Sequence, residues 1–314
     1  MRRNHSHQPF KSSYNIFYFT LLAILLILSS CGAEQNNQPP AAVRTRPPAQ
    51  PTILVPTATP TPTATARPEP VGLKGNWNLI FHDDFDGSTL NTKVWKTCYF
   101  NFKLGDSCYH DDGELELYRP GGVLVNDGNL TLQAKKQTVT TFGRTFHYTS
   151  GMISSGPDVQ GGKEGFTFKY GYMEMRAKIA GGQGMWSAFW ALPADLSWPP
   201  EVDAFEILGA TPSIFYMTYH YAGANGSDVG DGTQWTGPDF SDGWHTFGLD
   251  WEPGSFTWYV DGVARRRYTS ANVVAKPMYI VASLAVGGDW PGAPNATTPF
   301  PGLYQIDYIR VWQK

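Results

Sequence analysis

The sequence is poor in charged residues and in helical patterns. Asp, Glu, Lys and Arg make up 16% of the 314 residues, and the formal net charge is −3. No basic stripe runs along the chain, so it lacks the electrostatic footprint of a nucleic-acid-binding protein. No amphipathic run beyond residue 72 is long enough for a substantial helix. Aromatic residues, in contrast, reach 14% and include 11 Trp. This content fits either an aromatic core or a carbohydrate-binding surface.

The first 30 residues have the features of a secretory signal. Basic residues at positions 2, 3 and 11 precede an apolar run over residues 16–28, which is too short for a typical membrane span. The run ends in Leu-Ser-Ser-Cys at residues 28–31, which resembles a bacterial lipobox. The resemblance implies cleavage before Cys31 and lipidation of its thiol; an ordinary signal followed by an unrelated cysteine is the alternative. We expect a secreted, cell-surface lipoprotein that contacts the membrane only through this lipid.

Residues 31–71 are predicted to be a disordered Pro/Thr-rich linker. Ten prolines fall between Glu34 and Pro70, among Thr-Pro and Ala-Thr repeats with few large apolar groups. Such a segment buries too little surface to offset its chain entropy. Pro-rich linkers stay extended, at up to about 3.1 Å per residue. We therefore interpret this segment as a tether for a domain over residues 72–314.

Short alternating runs separated by Gly, Asn and Asp predict an all-β domain over residues 72–314. After an opening segment at 79–87, the predicted strands are 115–118, 124–125, 130–134, 172–179, 185–192, 215–221, 244–251, 256–260, 278–286 and 305–312. Asp127-Gly128 and Asp261-Gly262 are predicted hairpin turns. This series favours a sandwich or a barrel. Two antiparallel sheets packed face to face would leave one concave face as a substrate cleft.

An acidic motif, Glu-Val-Asp-Ala-Phe-Glu at residues 201–206, lies in an otherwise apolar run. Side chains alternate along a strand, so Glu201 and Asp203 share a face. Glu206 would fall on the other face unless a β-bulge at Ala204 or Phe205 adds one residue. With the bulge, the three acids form a row on the concave face. The alternative is the polar face of an exposed strand.

Closely spaced carboxylates do not all ionise at their usual pKa, so at least one keeps its proton near neutral pH. Retaining glycoside hydrolysis needs such a pair: one carboxylate attacks the anomeric carbon, and a protonated one about 5–5.5 Å away donates to the leaving oxygen. Trp186, Trp190 and Trp198 lie close in sequence to the acids. Their rings would provide faces on which sugar rings stack.

Three segments, residues 170–178, 184–193 and 201–206, resemble glycoside hydrolase family 16. The resemblance extends over residues 79–312, and the acidic motif is similar to the bulged form of the family's laminarinases. It implies a β-jelly roll and an endo-acting, retaining glycoside hydrolase of β-1,3- or mixed β-1,3-1,4-glucan. Glu201 would be the nucleophile and Glu206 the acid/base. Asp203 would orient the nucleophile and hold the proton on Glu206.

Further segments of the resemblance concern the substrate. Residues 112–118 resemble the family's Asn-x-Glu-Leu-Gln-Tyr-Tyr, which implies that Asp112 and Glu114 bind sugar, although Asp112 replaces an amide. Met152 replaces an arginine that is common in laminarinases, which weakens a strict β-1,3-glucan assignment. The segment around Trp290 resembles a laminarinase loop and favours β-1,3-glucans. Trp290 would then bind substrate as an aromatic of the cleft or of a lid; a loop Trp packed on the sandwich edge is the alternative. Residues 198–209 instead resemble bacterial exopolysaccharide glycanases.

His220 has two interpretations: a histidine satisfied by a neighbour in the core or at the rim, or a substrate-binding residue on the concave face near the acid/base. The resemblance favours the second. The function also has alternatives: a glycanase of exopolysaccharide or galactan, a transglycosylase, and a non-catalytic carbohydrate-binding surface module. Three acids in a row argue against the last, because a binding module has no need of them.

Asp84, Gly128 and Asp307 align with a structural calcium site of many relatives, built from two carboxylates and a main-chain carbonyl. Ordinary surface acids are the alternative. No cofactor is expected for catalysis. Cys98 and Cys108 are a pair in an exported domain, where disulfides persist, so we predict a bridge; two buried free thiols are the alternative. We expect a monomer that binds a polysaccharide and no nucleic acid.

Overall fold

The structure is a computed structural model that describes residues 68–99, 103–104, 106–110, 113–157, 162 and 165–314. The predicted signal peptide, the predicted lipidation site at Cys31 and Asp112 lie outside these residues. The chain divides into two units, residues 1–62 and 63–314, and all described residues belong to the second. The described residues contain no helix of the length and hydropathy needed to span a membrane.

The described residues form eighteen β-strands and one 3-10 turn, Pro120–Gly122. The first nine strands are β1 (Asn78–Asp83), β2 (Lys103–Leu104), β3 (Ser107–Cys108), β4 (Glu116–Tyr118), β5 (Val123–Asn126), β6 (Asn129–Thr141), β7 (Arg144–Ser150), β8 (Met152–Ser154) and β9 (Gly171–Lys178). The others are β10 (Met185–Pro193), β11 (Glu201–Leu208), β12 (Ile214–Ala222), β13 (Asp228–Thr236), β14 (His245–Glu252), β15 (Ser255–Val260), β16 (Val263–Thr269), β17 (Met278–Val286) and β18 (Gly302–Gln313).

The strands assemble into two sheets in the described part of the chain. The smaller sheet has the order β13-β12-β11-β10-β17-β8. The larger sheet follows β16-β15-β14-β9-β18-β6-β7-β4-β3-β2, with β1 paired to β18 and β5 paired to β6. Among the described pairings, β4 with β7 is parallel and the others are antiparallel. The predicted all-β sandwich is therefore confirmed.

The core lies between the two sheets and fixes the strand that carries the acidic motif. Phe205 of β11 packs on Phe247 of β14, with ring centroids 4.3 Å apart. Trp258 of β15 is fully buried and donates its indole N–H to the main-chain oxygen of Asp203 over 2.7 Å. Burying aromatic side chains of this size is a major source of stabilisation. The larger sheet thus holds β11 in place from behind.

Both predicted Asp-Gly hairpins are present. Asp127 and Gly128 have φ values of 53° and 72°, and Asp261 and Gly262 have 50° and 73°. Two successive residues with positive φ are the pattern of a type I′ turn, which matches the twist of the strands it joins. Asn126 consequently pairs with Asn129, and the second turn connects β15 to β16.

A second apolar cluster surrounds a disulfide near the smaller sheet. Cys98 and Cys108 are bonded, with Cα atoms 5.9 Å apart. The cluster contains these cysteines together with Tyr99, Tyr118, Met152, Leu192, Tyr279 and Val281. Trp190 packs against it. The chain preceding β1 is also attached: Trp312 donates to the Pro68 oxygen over 2.8 Å, and Val71 N–H donates to Glu174 over 2.9 Å.

Candidate active site

A bulge in β11 brings the three acids to the same side of the smaller sheet. Asp203 pairs with Thr218 and Glu206 pairs with Tyr216, so two residues of β11 oppose one residue of β12. The two residues that form the bulge, Ala204 and Phe205, are fully buried in the core. Glu201, Asp203 and Glu206 line one cavity on the opposite face. The predicted bulge and its position are confirmed.

The cavity has a volume of about 450 Å³. Besides the three acids, residues that we predicted to bind sugar line it: Glu114, Trp186, Trp190, Trp198, His220 and Trp290. The remaining member of that set, Asp112, lies outside the described residues. The lining also includes residues that we had not predicted to bind substrate: Tyr99, His110, Tyr118, Met152, Ala188, Thr218, Ser283 and Ala285.

Tryptophans form much of the cavity wall. Trp198 and Trp290 are exposed at the rim, to 55% and 43%. The Trp186 ring contacts Trp290 edge-on at 5.2 Å between centroids. Trp190 donates its indole N–H to Ser283 over 3.3 Å and meets Tyr99 edge-on at 5.6 Å. A cavity with aromatic walls and a few convergent polar groups is typical of a small-molecule or sugar site.

Glu201 is partly exposed and held by an indole. Trp198 donates its N–H to Glu201 Oε2 over 2.9 Å. Burial raises the pKa of Glu201, while the charge of His220 and the Trp198 hydrogen bond act in the opposite direction. Trp198 therefore has a contact that the sequence did not predict, in addition to its exposed ring.

Asp203 is the most buried of the three acids, with 2% exposure. Burial and the charges of Glu206 and Glu201 raise the pKa of Asp203 well above its usual value. One polar side-chain atom from each of Glu201, Asp203 and His220, a carboxylate oxygen or a ring nitrogen, lies within 4.8 Å of the other two. The raised pKa of Asp203 therefore favours its protonated form next to Glu201.

Glu206 has the pKa that a general acid needs. Burial, followed by the charge of Glu201, raises the pKa of Glu206 to about 8, and hydrogen bonding with Trp186 and Thr218 acts in the opposite direction. We had expected charge repulsion from Asp203 to hold this proton. The effects that raise the pKa of Glu206 are instead burial and the charge of Glu201. At neutral pH a protonated Glu206 thus shares the cavity with Glu201.

A second carboxyl pair lies at one side of the cavity. Glu114 lines it and accepts a hydrogen bond from the Tyr118 hydroxyl over 3.2 Å. Glu116 is fully buried and accepts from Val286 N–H over 2.8 Å. Burial raises the pKa of both carboxyls. Glu114 bridges to Gly287, which has φ of 75° and no room for a Cβ beside Leu115, so a glycine is required there.

Asp84 and Asp307, two of the residues aligned with a calcium site, each form an ion pair with an arginine. Arg310 lies 2.7 Å from Asp84, and Arg176 lies 2.5 Å from Asp307. Gly128 occupies its hairpin turn. The calcium site stays a prediction.

Comparison with known proteins shows that the β domain is similar to a family of glycoside hydrolases. The profile of Glycosyl hydrolases family 16 matches residues 117–310. Glucan endo-1,3-beta-glucosidase A1 of Niallia circulans is 31% identical over 271 residues, covering 76% of this chain and 38% of that protein. Endo-1,3-1,4-beta-glycanase EglC of Rhizobium meliloti is 34% identical over 246 residues, covering 74% and 51%.

Among solved structures, endo-beta-1,3-glucanase from Pyrococcus furiosus is 35% identical with a TM-score of 0.66, covering 76% of this chain and 94% of that one. The chain spans only 38% and 51% of the two full-length relatives, so the likeness concerns the β domain. The matched profile covers most of that domain, including the bulged strand and the cavity-lining residues from Tyr118 onward. On this basis the chain belongs to glycosyl hydrolases family 16.

Proposed function

We propose that the protein is an endo-acting, retaining glycoside hydrolase of β-1,3- or mixed β-1,3-1,4-glucan. The observation that carries the proposal is the bulged row of acids, in which Glu206 is protonated at neutral pH beside Glu201. The names of the relatives, endo-1,3-beta-glucosidase and endo-1,3-1,4-beta-glycanase, support this substrate class. An extended cavity with tryptophan walls suits a glucan chain.

The mechanism has two steps. In the first, the Glu201 carboxylate attacks the anomeric carbon and forms a glycosyl ester, while Glu206 gives its proton to the leaving oxygen as the glycosidic bond breaks. In the second, Glu206 takes a proton from water, whose oxygen attacks the anomeric carbon and releases Glu201. The Trp198 indole and the Asp203 carboxyl, both hydrogen-bonded to Glu201, hold it for the attack. The two inversions return the β-configuration, and no step requires a metal.

We propose that the domain acts outside the cytoplasm, on the basis of the N-terminal sequence. A lipobox-like cysteine at position 31 and a Pro/Thr-rich linker support a domain tethered outside the cytoplasm by a lipid. An extracytoplasmic tether would present the cavity to polymers too large to enter the cell. Incorporation of labelled palmitate into the wild type, absent from Cys31→Ala, is the expected result; equal labelling of both would contradict this anchor.

Hydrolysis of a polysaccharide panel tests the activity. The full-length chain should release reducing sugar fastest from laminarin and mixed-linkage glucan, and more slowly from agar-type galactan or bacterial exopolysaccharide. Proton NMR of the first product should show the β-anomer. Initial accumulation of the α-anomer would contradict retention, and binding of laminarin without release of reducing sugar would identify a carbohydrate-binding module instead.

A further inference from the structure

His220 lies between acids of two different strands. On β11, its pairing partner is Glu201, and on β13 it is Gly230. Its Nδ1 is 3.1 Å from one carboxylate oxygen of Asp228 and 3.3 Å from the other. Its Nε2 is 3.8 Å from Asp203 Oδ2. The charged groups facing the ring are therefore Asp228 on one side and Asp203 with Glu201 on the other.

The surroundings of the ring define its orientation. The Trp198 ring, on the β10–β11 connection, lies 6.2 Å from the His220 ring. Opposite it in the sheet, a Cβ on Gly230 would come within 3.3 Å of His220 Cε1, closer than most packed side chains tolerate. Gly230 therefore leaves this side of the ring without a side chain, and the polar contact at hydrogen-bond distance is the one between Nδ1 and Asp228. In a histidine, the hydrogen bond made by one ring nitrogen determines which of the two nitrogens is protonated, and it fixes where the other nitrogen points.

We propose that Asp228 is a positioning residue for the reaction: it accepts the hydrogen bond of the His220 Nδ1–H and so keeps Nε2 directed at Asp203 and Glu201. This inference rests on the proposed function. Asp228 is partly exposed, lies outside the cavity lining and touches no reacting atom. It acts through His220 alone.

The orientation matters because Glu201 must be ionised to attack. Burial raises the pKa of Glu201, and the charge of His220 is the largest effect that lowers it. If the ring turns away, this opposing effect is lost and the pKa of Glu201 rises. The acidic limb of the pH profile of kcat/KM, which reports the free enzyme, then moves to higher pH.

The chain offers a matched control. Asp261 Oδ2 lies 2.9 Å from His245 Nδ1, the same kind of Asp–His contact, at the β15–β16 turn on the larger sheet. Asp261 and His245 do not line the cavity. Asp261→Asn therefore removes an equivalent carboxylate charge from an Asp–His pair without altering the ring beside Glu201.

The experiment measures pH profiles of laminarin hydrolysis for wild type, Asp228→Ala, Asp228→Asn and Asp261→Asn. Asp228→Ala should move the acidic limb upward by about one pH unit, equivalent to a tenfold loss of kcat/KM below the wild-type midpoint, with little change at the plateau. Asp228→Asn, which keeps an acceptor oxygen, should move it less. The pH profile of Asp261→Asn should coincide with that of the wild type.

Superposition of the Asp228→Ala profile on the wild type would overturn the proposal, as would an equal shift in Asp261→Asn. If Asp228→Ala does not fold, Asp228→Ser, whose side chain is too short to reach Nδ1, takes its place. Nitrogen-15 NMR of labelled histidines should show a protonated Nδ1 on His220 that changes in the variant. This NMR signal is measured without substrate. If the wild type proved inactive, the proposed function would be wrong, but the NMR spectrum would still show whether Asp228 accepts the hydrogen bond from His220.

Discussion

Two groups of carboxyls lie at or beside the cavity, and their surroundings differ. Glu201 and Glu206 on β11 are partly exposed, and Glu201 is bonded to a Trp198 indole at the cavity rim. Glu116, beside Glu114, is fully buried and bonded to the main chain of β17. Burial raises the pKa of the carboxyls in both groups.

The comparison shows that a raised pKa alone does not identify a catalytic acid. What separates the two groups is access: Glu201 and Glu206 are partly exposed and have hydrogen-bond donors that orient them, whereas Glu116 is fully buried. Glu114 is intermediate, because it lines the cavity but is only 7% exposed and bonded to Tyr118. Access and oriented partners should therefore decide which substitutions abolish activity.

The largest expected difference is between Glu201→Gln and Glu116→Gln. Glu201→Gln removes the proposed nucleophile and should lower kcat by at least about 10³-fold, since loss of a covalent nucleophile costs this much or more. Glu116→Gln keeps an acceptor for Val286 N–H and should keep kcat within a few-fold of the wild type. Initial rates on laminarin, with circular dichroism to verify folding, measure both. Comparable losses of kcat in the two variants would show that access to the cavity does not separate Glu201 from Glu116.

A smaller effect concerns the basic limb of the pH profile. Glu206, the proposed general acid, must be protonated to act, so activity should fall as pH rises through about 8. Hydrogen bonding with Thr218 lowers the pKa of Glu206; removing it with the near-isosteric Thr218→Val should raise that pKa and move the basic limb to higher pH. We expect a shift of a few tenths of a unit in kcat/KM profiles.

Thr131→Val is the matched control, since Thr131 belongs to β6 of the larger sheet and does not line the cavity. Its profile should coincide with that of the wild type. A basic limb of Thr218→Val that moves to lower pH would contradict the sign of the Thr218 effect.

Much of the fold and the acidic row could be predicted because the signals are local. The strands of the core are apolar runs such as β17, and the Asp-Gly turns have a strict backbone requirement. The bulge followed from the spacing of the acids along one strand. Within residues 201–206, the sequence alone indicated the alternation of side chains along the strand, the bulge that interrupts it and the clustering of the three acids that results.

The parts that were missed depend on partners distant in sequence. β13 is polar and contains glycines at 230 and 232, and β16 contains Arg265, Arg266 and Arg267, so neither has an apolar strand pattern. Without β13 there was no register to place Asp228 beside His220. The arginine partners of the acids aligned with a calcium site were missed for the same reason: Asp84 pairs with Arg310, 226 residues away.

The smallest effect is on stability, and it tests the enclosed pair. In the folded state the pKa of Glu116 is raised, so between the usual Glu pKa of about 4.3 and the folded value the folded protein binds more protons than the unfolded one. Stability contributed by this group is present at low pH and is lost as pH rises. Glu116→Gln removes that loss and also the charge that raises the pKa of Glu114. The variant should match the wild type near pH 4.5 and exceed it at pH 8 by about 1 kcal/mol, or about 2–4 °C in Tm. Thermal unfolding across this pH range decides it, and a gap that narrows with rising pH would show that Glu116 is stabilised as a carboxylate.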